Sequence, residues 1–176
     1  MLKKRAKDLI VILIIAIVLT VAILALDIKS VDEYYNEPLD KITDTSKVAY
    51  LSIDCKTVLS NMDKLKEEVK DFIPSNGVIL EKKPYAIKSG DTAFTILQRI
   101  AKHNKISLSY SGNNQFNSIY VEGINHLFEK DCGGESGWIV LVNGKMLKMA
   151  SDKYVLKEGD YVEWRYSCVL GDVGVV

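Results

Sequence analysis

The chain has 176 residues, 48% of them hydrophobic, with 23 basic and 23 acidic residues and no net charge. That length allows one ordinary domain plus accessory segments. Four of the basic residues and one acidic residue lie in the first 26 positions; the remaining 19 basic and 22 acidic residues leave no basic stripe beyond Lys82-Lys83, which argues against nucleic acid as a partner.

Lys3, Lys4, Arg5 and Lys7 precede Leu9 to Leu26, 18 consecutive residues without a charge. As a helix this run spans about 27 Å, close to the hydrocarbon core of a bilayer. Residues 1–26 are therefore expected to be an uncleaved signal-anchor helix, with the basic flank inside and the rest of the chain outside. A cleavable signal peptide is the alternative, although its apolar region is usually shorter, about 7 to 15 residues, and Ile23 and Ala25 match its cleavage site poorly. Residues 27–47 are polar and aperiodic and read as a linker. The domain proper is expected over 48–176.

Val48 to Asp54 alternates as a strand does, and Thr57 to Ile73 spaces Val58, Met62, Leu65, Val69 and Phe72 at helical steps, closed by Pro74 and Gly77. Val78 to Leu80 and Pro84 to Lys88 read as strand pieces. Asp91 is placed to cap a second helix, whose apolar stripe is Ala93, Phe94, Leu97, Ile100 and Ala101. Lys102, His103 and Asn104 suit its C-terminal end.

Strands dominate beyond it. Ile106, Leu108 and Tyr110 alternate before an expected turn at Ser111-Gly112-Asn113-Asn114; Ser118 to Glu122 is a further strand. Trp138 to Val142 leads into Asn143-Gly144, a strong hairpin signal because both turn positions need positive φ. Lys157 to Asp160 turns the chain again. In Tyr161 to Cys168, Val162, Trp164, Tyr166 and Cys168 share one face of a half-buried strand. One long helix followed by strands gives an α+β class with a mixed or antiparallel sheet.

The catalytic resemblances of the segment Cys132 to Lys145 fail on spacing. Around Ser136 tryptophan stands where a nucleophile elbow needs its second glycine, and Ile139 and Met146 break a phosphate-loop pattern. Cys132 with His126 is a weak nucleophile and base pair, and Glu158 with Asp160 flank a turn where solvation suffices to explain them. Cys55, Cys132 and Cys168 form no C-x-x-C pair, so no metal site is expected. Outside the cell Cys132 and Cys168 are the favoured disulfide candidates, with Cys55 buried, and the other two pairings stay open. The chain is expected not to be an enzyme. Tyr110, Ser118, Tyr120, Ser136, Trp138 and Asn143, aromatic and small polar residues near predicted turns, are the candidate ligand-binding set. Trp138 is either a core ring or an exposed platform, whereas Trp164 reads as core.

The ordered series SGDTAFTIL (89–97), YSGNNQFNSIYVEGI (110–124), SGWIVLVNGKM (136–146) and YVLKEGDYVEWRY (154–166) resembles the transcobalamin-like C-terminal domain family. The resemblance implies a β-grasp-like fold that binds a soluble ligand, with cobalamin or a related corrinoid the first to test. It directs Ser118 to Gly123 and the segment around Trp138 toward the ligand, and it implies the surface of a Gram-positive bacterium. The animal carriers clamp cobalamin against a helical barrel that 176 residues cannot hold, so weak affinity or a partner protein of the cell envelope is expected. The stretch YAIKSGDTAFTILQRIAKHNKI (85–106) also resembles the opening of a LysM peptidoglycan-binding module, and a structural or protein-interaction module of the envelope is the remaining alternative.

Overall fold

A computed structural model describes residues 12–21, 39–113, 117–169 and 171–173, and the chain falls into two units, 1–36 and 37–176. In the first unit residues 12–21 are helical, and their large apolar side chains are 53% to 62% exposed. Among the described residues no helix is long and apolar enough to cross a membrane. The rest of the expected span, Leu9 to Val11 and Ala22 to Leu26, lies outside them, as does most of the expected linker.

The second unit is mixed α+β. Its strands are β1 (Val48–Asp54), β2 (Val78–Ala86), β3 (Leu108–Asn113), β4 (Ser118–Ile124), β5 (Leu127–Phe128), β6 (Gly137–Val142), β7 (Lys145–Met146) and β8 (Tyr161–Ser167). They form a five-stranded sheet in the order β2-β1-β8-β6-β7 and a three-stranded sheet in the order β3-β4-β5. The parallel pair β1 and β8 is central, with antiparallel neighbours on both sides. β2 is an edge strand and carries Lys82, Lys83 and Pro84, which discourage pairing with another chain. Leu39, near the end of the expected linker, packs on the main core, and the Lys47 carbonyl accepts from the Ile87 N–H. The tail of that segment is therefore docked on the domain.

Helix α2 (Ala93–His103) covers the sheet, and a short helix α1 (Lys56–Leu59) precedes it in the chain. Ala93, Phe94, Leu97, Ile100 and Ala101 are all buried as their spacing predicts, together with Ile96. All but Ala101 meet Leu51, Ile53, Val162 and Trp164 in the main core. Thr92, not Asp91, caps the helix: the Thr95 N–H donates to Thr92 Oγ1 at 3.1 Å and the Thr92 N–H donates to Thr95 Oγ1 at 2.7 Å. This reciprocal pair satisfies two otherwise orphaned donors. Thr92→Ala is expected to lower stability by about 1 kcal/mol in denaturant unfolding, and no measurable loss would show that Thr95 alone suffices. At the other end Lys105, not Asn104, takes the positive φ, at 56°.

The long helix expected over Thr57 to Ile73 is not formed. α1 ends because Asn61 turns its side chain back, Nδ2 donating to the Thr57 carbonyl at 2.9 Å, and a 3-10 turn follows at Glu67–Phe72. Val58, Leu65 and Val69 still point inward, into a second apolar cluster with Cys55, Leu127, Cys132, Tyr166 and Cys168. Met62 is half-buried beside them but Phe72 is exposed, so two short turns satisfy most of the spacing of one helix. The two strand pieces expected at 78–88 are instead one strand, with a register shift opposite Leu51 and Ile53. The expected turn at Ser111 to Asn113 lies inside β3, while Asn114 is outside the described residues.

The polar face of β8 is more enclosed than its alternation suggests: Glu163 and Ser167 are as buried as Trp164, while Tyr161 and Arg165 are half-buried. On the polar face Glu163 accepts from Arg165, Ser52 Oγ lies 2.8 Å from the Tyr161 hydroxyl, and Lys82 Nζ sits 3.8 Å from the Tyr161 ring centre. Asn143 and Gly144 have φ of 53° and 75° as the hairpin requires, though β7 adds only two residues.

Candidate ligand-binding ribbon

Of the six candidate residues, the fold employs three in holding itself together. Ser136 is buried; its Oγ accepts from the Cys132 N–H at 3.0 Å, donates to the Gly133 carbonyl at 2.8 Å and lies 2.8 Å from the Tyr166 hydroxyl. Trp138 is half-buried between the two clusters, with Nε1 donating to the Leu127 carbonyl at 2.8 Å and its ring edge-on to Tyr166 at 5.3 Å. Asn143 joins its hairpin to the next turn, its Nδ2 donating to Asp160 Oδ1 and its Oδ1 accepting from the Tyr161 N–H.

The other three belong to the β3–β4 ribbon. Ser118 opens β4 opposite Asn113, and Tyr110 and Tyr120 are 42% and 48% exposed. Tyr110 pairs with Val121, which is buried, so its ring lies on the helix side: it meets Phe94 edge-on at 4.9 Å, and its hydroxyl accepts from Gln98 Nε2 at 2.9 Å. Tyr120 pairs with Ser111, and alternation puts both on the opposite face with Glu122. The ribbon thus presents one tyrosine on each face.

Each ring is held by a partner. The Tyr120 hydroxyl donates to Glu129 Oε2 at 2.6 Å, and that bond, reinforced by partial burial and the charges of Glu129 and Glu122, pushes its pKa up to about 12. Ser109 Oγ donates to Glu122 Oε2 at 3.0 Å. Phe128, also exposed, lays its ring against Gly123, where a Cβ would come within 2.6 Å of Cδ1. The Ile119 N–H donates to Asp152 Oδ1 at 3.1 Å and ties the ribbon to the loop before β8. Aromatic faces beside oriented acceptors suit non-covalent recognition of a ligand with apolar surface and hydrogen-bond donors. Period-two alternation could have found Glu122 beside Tyr120. Gln98, Ser109, Phe128 and Glu129 come from other elements, and only the tertiary fold brings them here.

The rejected chemical readings look no stronger in three dimensions. The Cys132 thiol is fully buried, and its pKa is pushed up to about 12 by burial and by Cys168, while His126 stacks on Phe72 at 4.4 Å. Among the described residues no group of three or more His, Cys, Asp or Glu is arranged to hold a metal ion. Asp160 is not solvated as expected: it is buried and accepts from the Lys157 N–H, the Tyr154 hydroxyl and Asn143. Cys132 and Cys168, the candidate disulfide pair, stand as free thiols in one cluster with Cys55. The strands following α2 occupy the place where a LysM module needs a second helix.

The fold and its ribbon define a mixed α+β domain with an exposed aromatic and polar surface. Residues 90–168 match a family model described as "Domain of unknown function (DUF4430)". Among solved structures the chain is similar to one titled "Crystal Structure of Haptocorrin in Complex with Cbi", at 15% identity and a TM-score of 0.49, over 73% of this chain and 26% of that one. The chain therefore spans about a quarter of that protein's length. No curated protein matches.

Proposed function

We propose that this chain is a non-catalytic binding protein whose β3–β4 ribbon takes up a soluble ligand, with a corrinoid the first candidate. The observation that carries this reading is the exposure of Tyr110 and Tyr120 on a ribbon whose supporting contacts are all made: the rings are oriented yet contribute little to either core. The strand order β2-β1-β8-β6-β7, with its parallel centre clasping α2, supports a β-grasp-like domain. The corrinoid choice rests on the motif series, whose second member forms this ribbon. The basic flank and the uncharged run to Leu26 support an anchor that holds the domain outside a membrane, on a Gram-positive bacterial surface by the same resemblance. A surface open on one side gives weak affinity unless an envelope protein closes it.

One observation favours the alternative, an envelope protein-interaction module: Ser136, Trp138 and Asn143 serve the fold rather than a ligand. A titration separates the two readings. The full chain in detergent micelles is titrated with cobalamin and with cobinamide while their visible spectra are followed. A saturable spectral change is expected, weakened at least tenfold by Tyr110→Ala combined with Tyr120→Ala. No response up to about millimolar ligand would remove the corrinoid, and an unchanged affinity in the double variant would remove the ribbon.

A further inference from the structure

Three distant parts of the chain deliver their cysteines to one place. Cys55 follows β1, Cys132 follows β5 and Cys168 follows β8, and all three are buried in the second apolar cluster. Cys132 Sγ donates to the Asn61 carbonyl at 3.6 Å, and Cys168 Sγ lies 3.7 Å from Thr57 Oγ1. Thr57 and Asn61 are one turn apart and joined by their own hydrogen bond, so the two thiols touch neighbouring positions of the same turn. Cys168 is also near enough to help raise the Cys132 pKa.

The segment after β8 decides whether that pair can be reached. Asp172 brackets the turn with its carboxylate: its Oδ1 accepts from Ser167 Oγ at 2.7 Å, and its Oδ2 accepts from the Cys168 N–H at 2.8 Å and the Val169 N–H at 3.0 Å. Val173 is buried, and its carbonyl accepts from Arg165. A turn in which one carboxylate makes three of the hydrogen bonds opens more readily than the laddered strand before it.

We infer that Cys132 and Cys168 are a redox latch: a small-molecule or protein disulfide oxidises them to a Cys132–Cys168 bond that fastens the C-terminal turn to the second cluster, leaving Cys55 reduced. The two thiols lose two protons and two electrons. One thiolate first attacks the oxidant's disulfide and releases one thiol, and the second then displaces the other, so the oxidant ends as two thiols or one dithiol. Burial disfavours the thiolate in the closed fold. Exchange therefore runs through the opened turn, and Asp172 sets its rate.

The test incubates the full chain in detergent micelles with oxidised glutathione, blocks residual thiols and maps the peptides without reduction. A cross-link between the peptides carrying Cys132 and Cys168 is expected, with Cys55 alkylated after unfolding. Its formation should accelerate about tenfold in Asp172→Ala, and the oxidised protein should melt roughly 10 °C higher than the reduced one. Recovery of all three cysteines as thiols or glutathione adducts overturns the inference. So does a bond that includes Cys55, or an Asp172→Ala rate equal to that of the unmodified chain. The mapping on the unmodified chain decides the pairing even if the variant fails to fold.

Discussion

Trp138→Ala is expected to lower stability by roughly 3–5 kcal/mol, the range for removing a large aromatic side chain from a packed site. The ring borders both apolar clusters, so its loss opens a void that neither can fill alone. It also removes the edge-on partner of Tyr166 and leaves the Leu127 carbonyl without its donor. Trp138→Phe retains much of the volume and loses the indole N–H, so about 1–2 kcal/mol is expected. Denaturant unfolding of the two variants separates packing from the hydrogen bond. A loss below about 1 kcal/mol for Trp138→Ala would mean that the ring is a platform and not a wall between the clusters.

The second large effect belongs to Asp91. Its carboxylate accepts from Arg99 Nη2 at 2.7 Å and Nη1 at 3.1 Å, from the Lys88 N–H at 2.8 Å and from Thr95 Oγ1 at 3.3 Å. Arg99 continues to the Ala86 carbonyl, so the pair ties α2 to the end of β2. Asp91→Ala strands a mostly enclosed guanidinium and is expected to lower stability by about 2–4 kcal/mol, less than a fully buried pair because Arg99 keeps some water contact. Burial alone would raise the Asp91 pKa, but Arg99, the Lys88 N–H and Thr95 together hold it below the ordinary carboxylate value. A depressed folded pKa contributes stability that is present above the unfolded value near 4 and is lost as pH falls through the folded value. The stability gap between the parent chain and Asp91→Asn should therefore narrow on acidification below about pH 4. A gap of constant size from pH 7 to pH 2.5 would show that the carboxylate charge contributes nothing.

The elements most legible in the sequence were those specified by short-range physics. The stripe of α2 reflects a helical period that its buried residues obey, and Asn143-Gly144 reflects a steric demand for positive φ that few other pairs meet. Thr57 to Ile73 misled because periodicity reports which residues point inward, not whether the backbone is continuous between them. Val58, Leu65 and Val69 do point inward, but Asn61 ends the first turn, and the Lys66 N–H donates to the Asp131 carbonyl instead of to the turn before it. Similarly, alternation in β8 separated its two faces without revealing that Glu163 and Ser167 are buried, since that depends on the Arg165 and Asp172 side chains folded over them.

The same divide runs through the site. Glycines around Ser136 and Trp138 made Cys132 to Lys145 look functional, yet the structure uses that segment to bind two clusters and two turns together. Tyr110 and Tyr120 were visible as aromatics near a turn. Their separation onto opposite faces follows from the register of β3 on β4, and the alignment of Glu129 with Tyr120 follows from the return through β5. Neither is written in local spacing.

The most direct measurement is amide chemical-shift mapping of the full isotope-labelled chain in detergent micelles, titrated with cobinamide. Shifts that saturate and cluster on Ser109 to Ser111, Ser118 to Glu122 and Phe128 to Glu129 are the expected result. Shifts centred on the β2 edge or on the β6–β7 hairpin, or no shifts at about millimolar ligand, would contradict ligand binding by the ribbon.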